Sequence, residues 1–439
     1  MPGSSGYSLS RWRLWVRAVC LVLALVAVGP AAYAYSVLTH EEIVDMAWED
    51  QIKPLLLKKY PGLTPEQLKE AHAYAYGGCV IQDMGYYPFG NKDFSDLVHY
   101  VRSGDFVAEM IRDAADVNEY AFALGALAHY SSDINGHPAV NRSVALEFPK
   151  LAKKFGNEVT YAENPKAHIR TEFGFDVTQV AKGRYTSDTY HDFIGFKVSR
   201  PAMERAFRNT YGVEFASMFK SEDLAIGTYR RSISKVIPEM TRVALLVRGK
   251  QMVKEIPNFS RKKFLYHLSR ADYQREWGTQ FRRPGFGARF LAFIFKLVPK
   301  FGPFKAIDFK TPTTQTENLY IRSIDHTIDN YRALLRDVGA GNVNLPNIDC
   351  DTGRPTVPGE YELADHSYTK LLDKLADHKF EGVNLQLKEN LVQFFTAPDA
   401  PKALGKDAKR WEKTQAELLV LKNAPTQSVP LTGEPTGAK

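Results

Sequence analysis

Apolar residues recur at helical spacing along most of the chain, and strand-like alternation is scarce. The segment 39–60 carries apolar residues three and four positions apart behind Thr39 and early acids, which predicts a helix capped by that threonine. A Thr-Pro pair and a Gly-Gly pair bound a second predicted helix at 64–78. The segment 116–134 is so apolar that we expect a buried helix. The fold class is therefore predicted to be all-α.

The second half continues in the same pattern, with helices predicted near 200–255, 315–337, 364–378, 384–396 and 403–422. By contrast, 83–100 is rich in glycine, proline and aromatic residues, which predicts a loop leading into a short helix. The sequence contains no internal repeat and no glycine-rich loop of the type that binds phosphate.

The length of 439 residues allows one large domain or two ordinary ones. The polar segment 309–319 has the composition of a linker, and a boundary near 250–315 would separate a first domain, 35–250, from a helical accessory region, 251–422. Within that region, 285–304 is apolar and aromatic with interspersed Arg and Lys, and it is either a buried helix or a membrane-interfacial segment. The polar tail 423–439 is predicted to be disordered.

The N-terminus has the features of a signal peptide. Three arginines precede an apolar run at 18–28, and the small-residue motif Ala-Tyr-Ala follows at 32–34. We therefore predict removal of residues 1–34, a mature chain that begins at Tyr35, and export to the periplasm or out of the cell. An uncleaved anchor is the alternative, and the apolar run is short for a membrane-spanning helix.

Composition narrows the picture only a little. Hydrophobic residues make up 44% and charged residues 24%, as in ordinary globular proteins. The net charge of +7 falls to about +4 without the signal peptide, which does not by itself indicate nucleic acid and fits an anionic membrane surface equally well. The mature chain keeps Cys79 and Cys350, which could pair in an oxidising compartment.

Residues that bind metals are concentrated between 40 and 172. His129 and Asp133 are four positions apart, as are His168 and Glu172, so each pair shares one side of its helix. A lone buried histidine is usually a packed core residue, but a buried carboxylate one turn away is costly unless it is paired or bound to a metal. His137 follows Ile-Asn-Gly, where we expect the helix to end.

The remaining candidates precede these pairs. His40 lies five residues after Tyr35, whose freed α-amino group could bind the same ion once it is deprotonated. Asp83 taken alone is a helix cap or a ligand, and His99 is placed at the start of a helix. The full series is His40, Asp83, His99, His129, Asp133, His137, His168 and Glu172. So many imidazole and carboxylate groups exceed the needs of one zinc ion and predict a multinuclear cluster that hydrolyses phosphate esters.

The order of these residues resembles that of the bacterial zinc-dependent phospholipase C family over about 35–175. The resemblance implies a bed of helices, three zinc ions, and hydrolysis of phospholipids to diacylglycerol and a phosphorylated head group by zinc-activated water. It also implies Asp83 as general base and a phospholipid membrane surface as the partner, with no stable nucleic-acid partner. The implied ligand sets are Asp83, His99, His129 and Asp133 for one ion; His137, His168 and Glu172 for a second; and Tyr35, His40 and Asp133 for a third.

Some positions depart from the family pattern. Tyr35 stands where the family usually has Trp, which should be tolerated because main-chain atoms bind the metal. The spacing from Asp133 to His137 is two residues shorter than in the best-known members, so we expect a differently bent loop there. Four aromatic residues between Asp83 and His99 are candidates for the head-group pocket or for packing: Tyr86, Tyr87, Phe89 and Phe94.

Other functions stay open at this point. Fungal single-strand-specific nucleases have a similar three-zinc architecture, although they end in His-x3-Asp where this chain has Glu172. A zinc-stabilised, non-catalytic surface-binding protein is disfavoured by the complete ligand series. No Gly-x-Ser-x-Gly motif of a serine lipase is present. The segment 349–360 has the acids of a calcium loop but carries Arg354 where glycine is required, so calcium is not favoured.

Overall fold

The computed structural model describes residues 37–182, 195–237, 309–400 and 407–427. These residues form fourteen α-helices, joined by short 3-10 and π segments, and their only extended pairing is in isolated β-bridges. The prediction of an all-α fold is thus confirmed. No helix in the described ranges combines the length and the apolar character needed to cross a membrane.

The helices of the first half surround the ligand series. They are α1 (Val37–Ala47), α2 (Lys53–Lys59), α3 (Pro65–Gly78), α4 (Lys92–Tyr100), α5 (Ser103–Arg112), α6 (Val117–Glu147), α7 (Pro149–Phe155), α8 (Pro165–Ala181), α9 (Arg200–Tyr211) and α10 (Glu222–Arg231). A π segment, Trp48–Ile52, joins α1 to α2, and a 3-10 segment, Ile81–Tyr86, precedes α4. The helices α5 and α7 were not predicted.

The helices of the second half match the sequence prediction closely. They are α11 (Thr314–Gly339), α12 (Glu362–Asp377), α13 (Leu385–Thr396) and α14 (Ala408–Asn423). The segment 309–319 is not a linker, because Thr313 caps α11 and the helix already includes 314–319. The segment 285–304, predicted to be either a buried helix or an interfacial segment, and the proposed boundary near 250 lie outside the described residues, as does the tail beyond 427.

The helix α6 runs through the centre of the fold and is 31 residues long. Its main neighbour in the first half is α3, which approaches it to backbone contact. A Cβ atom on Gly125 would lie 2.1 Å from the carbonyl oxygen of Ala75, and one on Gly78 would lie 1.9 Å from that of Phe122. On another side, Tyr331 of α11 donates a hydrogen bond to the carbonyl oxygen of Leu124 at 2.8 Å. The accessory helix α11 is therefore packed against the same core as the first half.

The predicted end of α6 before His137 is wrong, because the helix continues through Pro138 to Glu147. Proline removes one intrahelical hydrogen bond, that to the carbonyl oxygen four residues earlier, here Ile134. Gly353 lies directly against this interruption: a Cβ atom on it would be 2.5 Å from the oxygen of Ile134 and 2.9 Å from the Pro138 ring. Packing from the second half thus supports the helix where the local sequence favours a break. There is accordingly no loop between Asp133 and His137.

Two other local predictions are corrected and one is confirmed. Thr64 forms a full capping box with Gln67 at the start of α3, as its position predicts. Thr39 does not cap α1, which begins at Val37; its hydroxyl instead donates to Asp176 Oδ1 at 2.6 Å. His99 lies in the last turn of α4 and not at a helix start.

Candidate metal centre

Every ligand candidate from His40 to Glu172 lies in one buried cluster between α1, the 3-10 segment, α4, α6 and α8. The most exposed of them, His137, has 6% of its surface accessible. Their ligand atoms fall into three groups whose members lie within 4.8 Å of one another: His40, His129 and Asp133; Asp83, His99 and His129; His137, His168 and Glu172. Tyr35, the remaining predicted ligand, lies outside the described residues.

Asp133 lies between the first two groups. Its Oδ1 is 3.7 Å from His40 Nε2, and its Oδ2 is 3.1 Å from His129 Nε2, one turn earlier on α6. The same Oδ2 is 3.2 Å from His99 Nε2. The two oxygens therefore face different histidines, which is the arrangement needed for a carboxylate shared by two ions.

Asp83 joins the cluster from the 3-10 segment. Its Oδ1 lies 3.4 Å from His99 Nε2, and the Nε2 atoms of His99 and His129 are 3.2 Å apart. The Gly-Pro-aromatic composition around 83–91 produces this tight turn, which brings Asp83 and the end of α4 to the same side of α6.

The third group joins α6 to α8. His168 Nε2 and Glu172 Oε1 are 2.8 Å apart on α8, and His137 Nε2 is 3.7 Å from the same oxygen. Because α6 is continuous through Pro138, His129, Asp133 and His137 follow one another at single-turn intervals along one face. The uninterrupted helix thus connects all three groups.

Main-chain carbonyls orient three of the imidazole rings. The Nδ1 atoms of His99, His129 and His137 donate to the oxygens of Ser95, Cys79 and Cys350 at 2.7, 3.0 and 2.6 Å. Each bond leaves Nε2 facing the carboxylates of the cluster as an acceptor for a metal, since the second ring nitrogen sets the tautomer.

The polar atoms of the cluster fit a metal better than they fit one another. Both carboxylate oxygens of Asp133 and Glu172, and Asp83 Oδ2, are buried without a well-aligned hydrogen-bond donor among the described residues. Leaving such groups unsatisfied is costly. Imidazole nitrogens and carboxylate oxygens are the ligands that zinc takes in proteins. The residues present therefore fit zinc ions.

Comparison with known proteins agrees with this chemistry. Residues 39–221 match the family model described as zinc dependent phospholipase C. This segment is thus similar to the zinc-dependent phospholipase C family. No curated protein and no solved structure matches the chain. The matched segment contains the eight ligand candidates that the structure describes, and it ends before α11 begins.

The electrostatics of the candidate metal site depend on burial and on close pairs. Burial lowers the pKa of His99, but its contacts with Asp133 and Asp83 outweigh burial and raise it to about 10. Burial raises the pKa of Glu172 well above its ordinary value, and His137 opposes this shift. Burial also lowers the pKa of His168. Without a metal, positive charge is thus held on His99, and zinc must displace that proton to bind there.

Of the four aromatic candidates, only Tyr86 lies beside the metal ligands. Its ring centroid is 6.0 Å from that of His99. Phe94 packs among core phenylalanines, Tyr87 packs against Tyr229, and Phe89 is 63% exposed. A further aromatic residue that the sequence did not indicate, Tyr161, has its ring centroid 5.8 Å from that of His168.

The sequence also gave no indication of the residues that reach the site from the second half. Cys350 accepts the hydrogen bond from His137, and Asp351 Oδ1 lies 3.5 Å from the same Nδ1 atom. The acidic pattern at 349–360 pointed only to a weak likeness to a calcium loop. Nothing local in that pattern connects it to a histidine more than 200 residues earlier.

Proposed function

We propose that this protein is a zinc-dependent phosphodiesterase that hydrolyses phospholipids to diacylglycerol and a phosphorylated head group. The observation that carries the proposal is the burial of three adjoining zinc-compatible ligand groups inside the segment that matches the phospholipase C family. We also propose three ions, with Tyr35 completing the group of His40 and Asp133, and export of the mature chain.

Zinc held by these groups would supply Lewis acidity toward phosphodiester oxygens and lower the pKa of a water molecule. The chain itself orients that chemistry. Asp133 links two groups through its separate oxygens, and the carbonyls of Ser95, Cys79 and Cys350 hold the imidazole rings in place. We assign to Asp83 Oδ2 the role of accepting the proton of the attacking water, because this oxygen is buried and lacks an aligned donor.

The surroundings of the cluster suit a phospholipid head group in one further respect. Tyr86 and Tyr161 stand beside the ligand histidines, with their ring centroids 6.4 Å apart. Aromatic faces of this kind contact apolar and cationic parts of a ligand. Substrate would be taken from a membrane surface, which the mild positive charge of the mature chain favours.

The test uses the mature chain from Tyr35 onward, loaded with zinc, and phosphatidylcholine vesicles. Release of phosphorylated head group is measured with and without a chelator. Asp83→Asn is expected to keep its zinc and lose most of its rate. Asp329→Asn, on the exposed surface of α11, is the control and should match the wild type.

Each outcome bears on the proposal. Chelator-sensitive release of head group supports the assignment. No release from a zinc-loaded sample, tested also with phosphatidylethanolamine and phosphatidylglycerol, would overturn it, and cleavage of single-stranded DNA by the same sample would replace it with the nuclease function. An Asp83→Asn variant with full zinc and full rate would remove the general-base role alone.

A further inference from the structure

The loop from Leu345 to Tyr361 belongs to the second half of the chain and lies outside the family match. It nevertheless forms hydrogen bonds with three helices of the matched segment. Tyr130 of α6 donates to the oxygen of Pro346 at 2.7 Å, and Ser103 of α5 donates to that of Ile348 at 2.6 Å. The amide of Cys350 donates to the oxygen of His99, a ligand candidate, at 3.2 Å.

The loop is also braced internally. Ile348 and Pro355 form an antiparallel bridge, and the amide of Asp349 donates to the oxygen of Arg354 at 2.8 Å. Asp349 Oδ1 accepts from the amides of Asp351 and Thr352 at 2.8 and 2.9 Å. The backbone of Asp351 is thus held on both sides, since Asn141 of α6 also donates to its carbonyl oxygen at 2.8 Å.

The carboxylate of Asp351 faces the third ligand group. It is fully buried, its Oδ2 accepts from the hydroxyl of Tyr361, and its Oδ1 lies 3.5 Å from His137 Nδ1 without an aligned donor of its own. No arginine or lysine pairs with it among the described residues. A buried carboxylate with only a tyrosine as donor needs positive charge nearby.

The geometry separates Asp351 from the ligands themselves. His137 Nε2 faces Glu172, whereas Asp351 and the Cys350 carbonyl lie on the Nδ1 side of the ring. Asp351 is therefore placed behind the ligand, where outer partners of metal-binding histidines orient the ring and increase its basicity.

We propose that Asp351 is a positioning residue of the metal centre, which strengthens binding of the ion held by His137, His168 and Glu172 from the second half of the chain. The Cys350 carbonyl fixes the direction of the His137 ring, and the negative charge of Asp351 completes the environment of the ion. The accessory region is then part of the zinc site. The inference rests on the proposed function only in requiring that the site bind zinc.

The test is zinc affinity of the full mature chain, measured by competition with a chromogenic chelator and by metal content after dialysis. Asp351→Asn keeps the shape of the side chain and removes its charge. It is expected to lower the affinity for one zinc ion by about 10- to 100-fold, which is the usual effect of losing an outer partner of a ligand. The other ions should stay bound. A role confined to packing would lower the unfolding midpoint of the metal-free protein and leave zinc affinity unchanged.

Asp349→Asn is the matched control, because Asp349 lies in the same loop and is equally buried, and asparagine keeps the Oδ1 acceptor that braces the turn while it removes the charge. It should retain wild-type zinc affinity. Tyr361→Phe supplies a second measurement should Asp351→Asn fail to fold, since it keeps the buried charge and removes its donor. We expect a smaller loss of affinity for the same ion.

The outcomes distinguish the two proposals. This inference is overturned if Asp351→Asn binds zinc as tightly as the wild type. Where Asp351→Asn does not fold, wild-type zinc affinity in Tyr361→Phe overturns it instead. In either case the proposed function stands. An equal loss in Asp349→Asn also overturns it, because the effect would then arise from the loop and not from the charge. A wild-type chain that binds no zinc overturns the proposed function itself.

Discussion

The Oδ2 atom of Asp133 lies 3.2 Å from the Nε2 atom of His99, although the two residues are on different helices. Asp133 thereby joins a ligand group built on α1 and α6 to one built on the 3-10 segment and α4. The carboxylate lies at the point where these elements meet, and we expect its loss to affect more than one ion.

Asp133→Asn is accordingly expected to lower zinc content by more than one ion per chain and to reduce hydrolysis by more than about 100-fold, a larger effect than the loss of an outer partner. Metal content and initial rate measured on the same sample check this. Asp329→Asn, an exposed change of the same chemistry on α11, should alter neither. Full zinc content in Asp133→Asn would show that Asp133 does not bind two ions.

Gly125→Ala tests the contact between α3 and α6. The added methyl group would lie 2.1 Å from the oxygen of Ala75 and must push the helices apart, at a cost of about 1–3 kcal/mol in stability. Because Cys79, just after α3, orients His129, zinc affinity should fall as well. Chemical denaturation and zinc competition measure the two effects.

Gly227→Ala is the control for this substitution. Gly227 lies inside α10, and a Cβ atom there would meet nothing within 4 Å. Alanine is the better helix former, so stability should rise by up to about 1 kcal/mol. Equal stability of the two variants would contradict the close approach of α3 and α6.

Glu147 gives the protein a pH-dependent stability. Burial raises the pKa of its carboxyl to about 7, against the hydrogen bond from Thr316. Because this pKa is raised, the folded state keeps the proton up to a higher pH than the unfolded state does. The stability that this proton contributes is fully present below about pH 4.5 and is lost as the pH rises through 7.

Glu147→Gln removes this titration. In the metal-free protein, the free energy of unfolding of the variant relative to the wild type should increase by about 2–3 kcal/mol between pH 5 and pH 8. Urea unfolding at the two pH values measures the difference. If the free energies of unfolding of the variant and the wild type differ by the same amount at pH 5 and at pH 8, Glu147 does not titrate in this range.

Cys79 and Cys350 are free, buried thiols, so the disulfide that the sequence left open is not formed between them. Burial raises the pKa of both well above the ordinary value. The chain from Tyr35 onward, which contains only these two cysteines, should therefore show no reactive thiol when native and two after denaturation without reductant. A thiol-specific chromogenic reagent reads this directly, and fewer than two thiols in the denatured, unreduced chain would indicate a bond between them.

Most helices and the eight ligand candidates from His40 to Glu172 could be predicted from the sequence, because helices and paired ligands both depend on local spacing. Pairs such as His168 and Glu172 share a helix face through the geometry of a single turn, and apolar periodicity shows which faces are buried. Predictions that depended on local stop or start signals were weaker, as Thr39 and His99 show. Both residues lie inside their helices, and Thr39 is bonded instead to Asp176, far along the chain.

The sequence by itself determined the helical class, the ligand types and their likeness to a zinc phospholipase C. Only the tertiary structure decided that α6 passes through Pro138, because the support of Gly353 comes from more than 200 residues away. For the same reason, only the tertiary structure brought Cys350 and Asp351 behind His137. Contacts between distant segments form when their surfaces pack. The residues on either side have no local sequence pattern from which the partner could be predicted.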